Sequence, residues 1–339
     1  MLQPLLDLSH APSLQPTLLG PLRVNPKHHP RGQPHLSAAS GLVRLGQRLY
    51  IVADDELHLG IFDDCTLTGQ APGKGKLLRL LQGELPNKME KRKKAKPDLE
   101  TLAQLPALPA LPGFEAGALL ALGSGSKPNR QTGVLVALEN LQEEGAPSGR
   151  IATVDLTALY APLRAQFADL NIEGVFLSHD ESEFILLHRG NKGDARSACI
   201  RYHWQHMATW LAGQHTQPPV ASSVQLLQLG NVQGVPLSPT DGAALPGGAW
   251  AFSAVAEATN DSVQDGACVG SAVGIVGPDG QVRQMHMLQG SPKVEGIAVQ
   301  AKGKRKDKDK DKDWELTLVT DPDDPAIASQ LLQVFLKHI

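Results

Sequence analysis

Short runs of alternating apolar and polar residues, separated by glycine and proline, dominate the chain. Helical periodicity is nearly absent, and this favours short strands joined by turns. One pattern, a polar residue and then a small one before alternating apolar residues, recurs at 39–45, 99–105, 172–178, 232–238 and 294–300. The recurrence, every roughly 60 to 73 residues, predicts that each start opens one structural unit.

Further strand-like runs follow each start. Second runs lie at 48–54, 118–124, 184–190, 249–255 and 314–320, and third runs at 57–63, 133–139, 197–203, 271–277 and 329–336. Fourth runs lie at 76–82, 150–156, 224–230 and 281–287, and the last unit has none. Four antiparallel strands, repeated about five times, predict an all-β fold: a single β-propeller that spans residues 1–339.

The missing fourth strand of the last unit needs a donor. The N-terminal segment 1–38, which includes GPLRVNP at 20–26, is expected to supply it and close the ring. Without that closure the first and last blades would each present an unpaired edge. Two alternatives stay open: six blades, with an irregular unit in the N-terminal segment and the 140–170 region, or a pair of β-sandwiches. One helix is predicted within 156–170.

Charge and composition limit the class of partner. The chain has 32 basic and 35 acidic residues, so no global field holds nucleic acid, and such a partner is not expected. The charged segments 86–97 and 301–313 are expected to be mobile loops. No stretch approaches the roughly 20 apolar residues of a membrane span. The three widely spaced cysteines are interpreted as buried or free thiols, and a cytoplasmic location is expected.

Propeller geometry predicts where a functional site lies. In a four-stranded blade, the start of the first strand and the loop between the second and third strands share one end of the sheet. Two groups of polar residues are therefore expected around one mouth of the central channel. The strand starts contribute Ser40, Glu100, Glu173, Gln233 and Glu295, and the loops contribute Asp54, Asp55, Arg130, His188, Arg189, Asn191, Glu257, Asp261 and Asp321.

These residue types predict a site for a small anionic molecule, with Ca²⁺ as the candidate cofactor. Carboxylates suit a hard cation, and the planar forks of arginine suit phosphate or carboxylate. The expected metal ligands are Asp54, Asp55, Asp261 and Asp321; the expected ligand-binding residues are Ser40, Glu100, Arg130, Asn191, Glu257 and Glu295; the candidate catalytic residues are Glu173, His188 and Arg189. The alternative is a non-catalytic binding or interaction scaffold, in which these residues serve as turn chemistry and solvated rims.

Several short motifs carry a resemblance to a known family. They are ASGL (39–42), LYIVADDE (49–56), NIEG (171–174) with FILLHRGN (184–191), and VEGIAV (294–299) with LTLVTD (316–321). In these the chain resembles a bacterial propeller family of unknown function that is related to the esterase-like and phytase-like domains. The resemblance implies a propeller and hydrolysis of a phosphate or carboxylic ester. The N-terminus lacks the signal sequence of secreted phytases, and this departure argues against phytate as the substrate.

Overall fold

In the computed structural model, the described residues are 6–66, 71–139, 141, 150–262, 266–302 and 313–338. They form a five-bladed β-propeller. Two short strands come first, β1 (Ser13–Leu14) and β2 (Thr17–Pro21). Blade 1 contains β3 (Ala39–Leu45), β4 (Arg48–Ala53), β5 (His58–Asp63) and β6 (Lys76–Arg79). Blade 2 contains β7 (Leu99–Leu105), β8 (Ala118–Gly123), β9 (Thr132–Ala137) and β10 (Ile151–Asp155).

The other three blades continue the same antiparallel order. Blade 3 contains β11 (Ile172–Leu177), β12 (Glu183–His188), β13 (Ser197–His203) and β14 (Ser223–Leu227). A small hairpin of β15 (Asn231–Val232) and β16 (Val235–Pro236) follows. Blade 4 contains β17 (Ser238–Ala244), β18 (Trp250–Glu257), β19 (Cys268–Val276) and β20 (Val282–Leu288). Blade 5 contains β21 (Val294–Ala301), β22 (Trp314–Thr320) and β23 (Gln330–Leu336).

The N-terminal segment closes the ring, as the sequence predicted. Strand β2 pairs antiparallel with β23, so that Thr17 lies opposite Gln333, and it serves as the fourth strand of blade 5. The closing strand is Thr17–Pro21, and only its end overlaps the 20–26 stretch singled out from the sequence. Strand β1 adds to the outer edge of blade 4 in parallel, with Ser13 opposite Met287. The outer edges of blades 4 and 5 are therefore covered by β1 and β2, respectively.

The apolar core consists of five clusters, one between each pair of neighbouring blades. Because both faces of a blade are covered by its neighbours, second strands contain continuous apolar stretches, such as 49–53 and 118–123. Representative pairs are Tyr50 and Leu102 between blades 1 and 2, Phe176 and Trp250 between blades 3 and 4, and Leu49 and Leu331 between blades 1 and 5. The ring is thus held together by burial between blades.

The first strands of all five blades line the channel and contact one another around it. Each has a β-bulge near its start, where the pairing with the second strand shifts by one residue. A bulge re-aims the side chain of its extra residue. The extra residues are Ser40, Glu100, Glu173, Thr240 and Glu295.

Glycine follows the bulge where first strands approach most closely. A Cβ on Gly41 would lie 2.5 Å from the backbone nitrogen of Leu102, and a Cβ on Gly296 would lie 2.5 Å from the carbonyl oxygen of Ser40. Neither distance leaves room for a side chain. The close packing of the inner strands therefore requires glycine at these two positions.

The predicted first strand of blade 4 was wrong. The 232–238 stretch has the expected apolar alternation, but it forms the β15–β16 hairpin, which turns at Gln233 (φ 53°) and Gly234 (φ 78°). The true first strand is β17, whose sequence SPTDGAA contains few strand formers. It contacts β11 and β21 on its two sides, and this tertiary environment overrides its weak intrinsic preference.

The described residues include three α-helices outside the blades: α1 (Met89–Ala95), α2 (Thr157–Gln166) and α3 (Trp204–Leu211). Helix α2 confirms the helix predicted within 156–170. Helix α1 lies in the 86–97 segment, for which a mobile loop was expected, and its Arg92 is buried. Within the 301–313 segment, residues 303–312 lie outside the described residues. Across the ranges given above, no helix is both long and apolar enough to cross a membrane.

We expect Gly41→Ala to lower the free energy of unfolding by about 1–3 kcal/mol, because the added methyl group would be forced against the backbone of Thr101 and Leu102. Gly73→Ala is the matched control, since Gly73 is exposed and has no atom within 4 Å of its added Cβ. That change is expected to stay within about 0.5 kcal/mol. Chemical denaturation of both variants measures the difference, and equal stabilities would contradict the close approach of the inner strands.

Candidate functional site

One backbone contact, repeated in four blades, brings the polar residues together at one end of the channel. The residue after the second strand donates its N–H to the carbonyl of the residue just before the first strand. The donor and acceptor pairs are Asp54 with Ala38, Ser124 with Asp98, Arg189 with Asn171, and Asp321 with Lys293. In blades 2, 3 and 5 two polar residues are thereby fixed beside the bulged residue, and in blade 1 one polar residue, Asp54, is fixed there.

These positions surround a cavity at the channel mouth. The cavity is narrow, with a volume of about 70 Å³, and it opens to solvent. Most of its lining side chains are charged. They comprise eight carboxylates (Asp54, Asp98, Glu100, Glu173, Glu257, Asp261, Glu295 and Asp321) and five cationic groups (Lys93, Lys96, Arg130, Arg189 and Lys293).

On the side of blades 1 and 2, the charges are joined through Lys96 and Asp98. The Lys96 ammonium contacts the carboxylate of Asp54 and lies 2.8 Å from Oδ1 of Asp98. The other oxygen of Asp98 accepts hydrogen bonds from Arg130 Nη1 at 2.8 Å and from Ser124 Oγ at 2.5 Å. These cations hold the pKa of Asp98 below its usual value, although burial acts in the opposite direction.

Glu100, the bulged residue of blade 2, is the exception in this group. Its side chain lines the cavity, and the residue is only 9% exposed. It makes no hydrogen bond or ion pair with any residue that the structure describes. One ligand oxygen each from Glu100, Asp54 and Asp98 lie within 4.8 Å of one another. Burial, reinforced by the charges of Asp98 and Glu173, raises the pKa of Glu100 well above its usual value.

On the side of blades 3 to 5, Arg189 lies at the centre of three glutamates. Its Nη2 donates to Glu257 Oε2 at 2.5 Å, and its Nη1 lies 3.5 Å from Oε1 of Glu173 and 3.5 Å from Oε1 of Glu295. The side-chain amide of Asn171 donates a hydrogen bond to Oε1 of Glu173 at 2.5 Å. The Arg189 guanidinium is therefore already engaged by carboxylates of three different blades.

Lys293 has a similar role at the junction of blades 4 and 5. Its Nζ lies 2.5 Å from Asp323, 3.5 Å from Asp321 and 3.6 Å from Glu295. Both carboxylate oxygens of Glu295 nevertheless lack a hydrogen-bond partner in the described part of the chain. The residue is 4% exposed.

The cavity contains more negative than positive groups. With every group ionised, the eight carboxylates exceed the five cationic groups by three charges. Burial raises the pKa of Asp54 and of Glu295 to about 8 in each case, and it also raises the pKa of Glu173. The mouth therefore either retains protons near neutral pH or takes up a cation from solution.

Of the residues predicted for the site, the structure brings nine into the cavity lining as charged groups: Asp54, Glu100, Arg130, Glu173, Arg189, Glu257, Asp261, Glu295 and Asp321. Asn191 also lines it. The Asn191 amide donates to Asp169 at 2.5 Å, and this contact orders the loop.

Four of the predicted residues lie elsewhere. Gln233 is in the β15–β16 turn, and Ser40 donates to the carbonyl of Ala38 at 3.1 Å outside the cavity lining. Asp55 accepts from Arg92 Nε at 2.8 Å, on the side of helix α1. His188 packs against Phe167 with the ring centroids 4.3 Å apart and the rings tilted by 41°, and burial lowers the pKa of His188 to about 4.

Sequence reasoning missed Lys96, Asp98, Asn171 and Lys293. Three of them share a signal that was available, because Asp98, Asn171 and Lys293 each lie two residues before a bulged glutamate, as D-L-E, N-I-E and K-V-E. Lys96 has no such signal. Lys96 lies in a charged segment, and the composition of such a segment does not distinguish a solvated loop from an ordered one.

Comparisons with known proteins give a family and distant structural similarities. No curated protein matches the chain. Among solved structures, the chain is similar to hydrazine synthase of Kuenenia stuttgartiensis (11% identity, TM-score 0.37, covering 97% of this chain and 66% of that one). It is also similar to a luciferin-regenerating enzyme (11% identity, TM-score 0.39, covering 89% of this chain and 92% of that one). A third similar structure is Sqt1 of Saccharomyces cerevisiae (10% identity, TM-score 0.37, covering 87% of this chain and 72% of that one). Similarity this distant carries no argument about activity. Residues 92–325, more than two-thirds of the chain, match a family of unknown function (DUF6910), and the protein belongs to that family.

Proposed function

We propose that the protein binds Ca²⁺ at the channel mouth and there hydrolyses a phosphate or carboxylic ester of a small anionic molecule. The observation that supports this most directly is Glu100, a buried carboxylate that faces the cavity without a partner. A buried charge is costly unless it is paired. A cation from solution would supply the missing partner.

The donor set fits a hard cation. Glu100, Asp54 and Asp98 offer only carboxylate oxygens, close enough together to share one ion. Ca²⁺ takes roughly six to eight oxygen ligands, whereas zinc favours histidine and cysteine. Three carboxylates leave further positions for water and for an oxygen of the substrate. Of the metal ligands predicted from the sequence, Asp54 belongs to this set, and Asp98 and Glu100 replace the others.

A bound divalent cation would polarise the phosphoryl or carbonyl oxygen of an ester. The chain's own residues would supply the remaining functions. Burial raises the pKa of Glu295 to about 8, so this side chain can hold a proton near neutral pH for delivery to a leaving group. Burial also raises the pKa of Glu173 above its usual value, and this favours the same role. Arg189 contacts both side chains and would keep them aimed at the cavity.

The two arginines are not free to bind an anion by themselves. Arg130 is held by Asp98 and by the carbonyl of Lys93, and Arg189 by its three glutamates. An anionic substrate would therefore gain little from either guanidinium alone. Capture through a metal ion at Glu100 agrees better with this arrangement than direct binding to the arginines.

We expect Glu100→Gln to weaken Ca²⁺ binding by about tenfold or more, because the charge and number of ligands set the affinity of a calcium site. Isothermal titration calorimetry of chelator-treated protein measures the dissociation constant. Glu139→Gln is the matched control, since Glu139 is exposed and follows the third strand of blade 2, away from the mouth. Absence of Ca²⁺ binding in the wild type, or equal affinity in both variants, would contradict the proposed metal site.

Ca²⁺-dependent hydrolysis of p-nitrophenyl phosphate or p-nitrophenyl acetate is the expected activity. Glu173→Gln should lower turnover by about 10²-fold, the usual contribution of a general acid, and should leave Ca²⁺ affinity nearly unchanged. Release of p-nitrophenol is followed by absorbance, with Glu139→Gln again as the control. Ca²⁺ binding without turnover of either ester would instead favour the alternative of a non-catalytic binding scaffold.

A pH dependence of stability follows from Glu295, which faces Arg189, Lys293, Glu173 and Asp321. Its pKa is about 8 in the folded protein, against 4.5 as the reference, so the folded state binds more protons between these values. The melting temperature should therefore fall as the pH rises from about 4.5 to about 8 in chelator, because stability is lost wherever the folded state holds the extra proton.

Glu295→Gln removes this contribution, and its melting temperature should decline less over the same pH range. Differential scanning calorimetry of the two proteins in chelator gives the comparison. Parallel curves for the wild type and the variant would show that Glu295 titrates at its ordinary value.

A further inference from the structure

The cation site proposed above already contains a cation that belongs to the chain. Lys96 directly follows helix α1, and its backbone N–H donates to the carbonyl of Arg92 at 2.8 Å. Its side chain is 11% exposed, and its ammonium contacts Asp54 and Asp98. These are two of the three carboxylates that would bind the metal ion. Only Glu100 is left without a partner.

Hydrogen bonds to blades 1 and 2 hold helix α1 and the backbone of Lys96 in place. Arg92 donates from Nε to Asp55 at 2.8 Å and from Nη1 to the carbonyl of Asn87 at 2.8 Å. Asn129 donates to the carbonyl of Lys96 at 3.0 Å, and Arg130 donates to the carbonyl of Lys93 at 3.0 Å. The backbone around Lys96 is therefore anchored to blades 1 and 2, and only the side chain is free to move.

An ammonium and a metal ion compete for the same carboxylate oxygens. Lysine carries its charge on a flexible four-carbon stem, so Nζ can leave the carboxylates while the backbone stays in place. An ion with two charges gains more from three carboxylates than an ammonium or an alkali ion gains. Exchange of Lys96 for a divalent ion would thus increase the electrostatic attraction at the three carboxylates.

We propose that Lys96 is the affinity- and specificity-determining residue of the mouth: a tethered ammonium that pairs with Asp54 and Asp98 until a divalent cation displaces it. This inference rests on the proposed metal site and adds the group that sets its selectivity. A monovalent ion carries the same single charge as the ammonium, so its attraction to the carboxylates does not offset the loss of Lys96, and it does not bind. A divalent ion binds, at the cost of releasing Lys96.

The first test is Lys96→Met, which removes the charge and keeps most of the length of the side chain. Lys94→Met is the matched control, since Lys94 is exposed on the same helix. Calorimetric titration with Ca²⁺ should show affinity at least about tenfold higher for Lys96→Met than for the wild type, and no change for Lys94→Met. Equal or weaker Ca²⁺ binding by Lys96→Met would overturn the inference.

A second test uses the wild-type protein, and it decides the matter if Lys96→Met fails to fold. Acetylation by N-hydroxysuccinimidyl acetate, read at each lysine by mass spectrometry, should be slow at Lys96 in chelator and several-fold faster in saturating Ca²⁺. The rate at Lys94 should not change. A Lys96 rate that is the same with and without Ca²⁺ would overturn the displacement.

The outcomes separate this inference from the proposed function. If Glu100→Gln abolishes Ca²⁺ binding but Lys96→Met binds no more tightly than the wild type, the metal site stands and the role of Lys96 falls. If the wild type binds no Ca²⁺ and Lys96→Met does, the role of Lys96 stands, and the wild-type function must be revised. If neither protein binds Ca²⁺, both fall.

Discussion

The close approach of the five first strands around the channel is the constraint on which the rest of the structure depends. Backbone meets backbone at Gly41 and Gly296, and the strand register slips at the residue just before each of them. The slip is what turns Glu295, and likewise Glu100 and Glu173, toward the channel mouth. The same local feature thus sets the packing of the ring and places the carboxylates of the site.

Blade 4 has no glycine after its bulge, and a hydrogen bond to the residue at that position holds the blade to its neighbour instead. Where blades 1, 3 and 5 have glycine after the bulge, blade 4 has Asp241, which is almost fully buried. Its carboxylate accepts N–H groups from Gly242 at 2.8 Å and from Ile297 at 3.1 Å, so a hydrogen bond joins blade 4 to blade 5. The bulged residue here is Thr240, which bonds to the carbonyl of Val294. The inner positions of blade 4 therefore hold the blades together. The carboxylates that blade 4 adds to the mouth, Glu257 and Asp261, come from its second strand and from the loop after that strand.

The fold could be predicted from the sequence where burial dictates the residue type. Both faces of the second strands are covered, so stretches such as 49–53 are continuously apolar, and they were recognised. Strand β17 was missed because its neighbours, and not its own residues, hold it extended. The mouth was predicted through its glutamates, but a strand alternates its side chains between two faces, so His188 and Arg189 could not both face the cavity. The role of Lys96 could not be predicted, because the sequence of a charged segment does not show which of its lysines will pair with a carboxylate of the site.

The two sides of the mouth differ in how their carboxylates are neutralised, and the difference bears on function. Arg189 follows a strand and is a planar fork fixed by three glutamates, so its release would leave several buried charges unpaired at once. Lys96 follows a short helix and contacts two aspartates through a single flexible ammonium. Exchange with a cation from solution is therefore far less costly beside blades 1 and 2 than beside blades 3 to 5. The unpartnered Glu100 lies on this exchangeable side, and Glu173 and Glu295, whose pKa values are raised by burial, lie on the fixed side. The mouth can therefore exchange the Lys96 ammonium for a cation from solution beside blades 1 and 2, while Glu173 and Glu295 keep their positions beside blades 3 to 5.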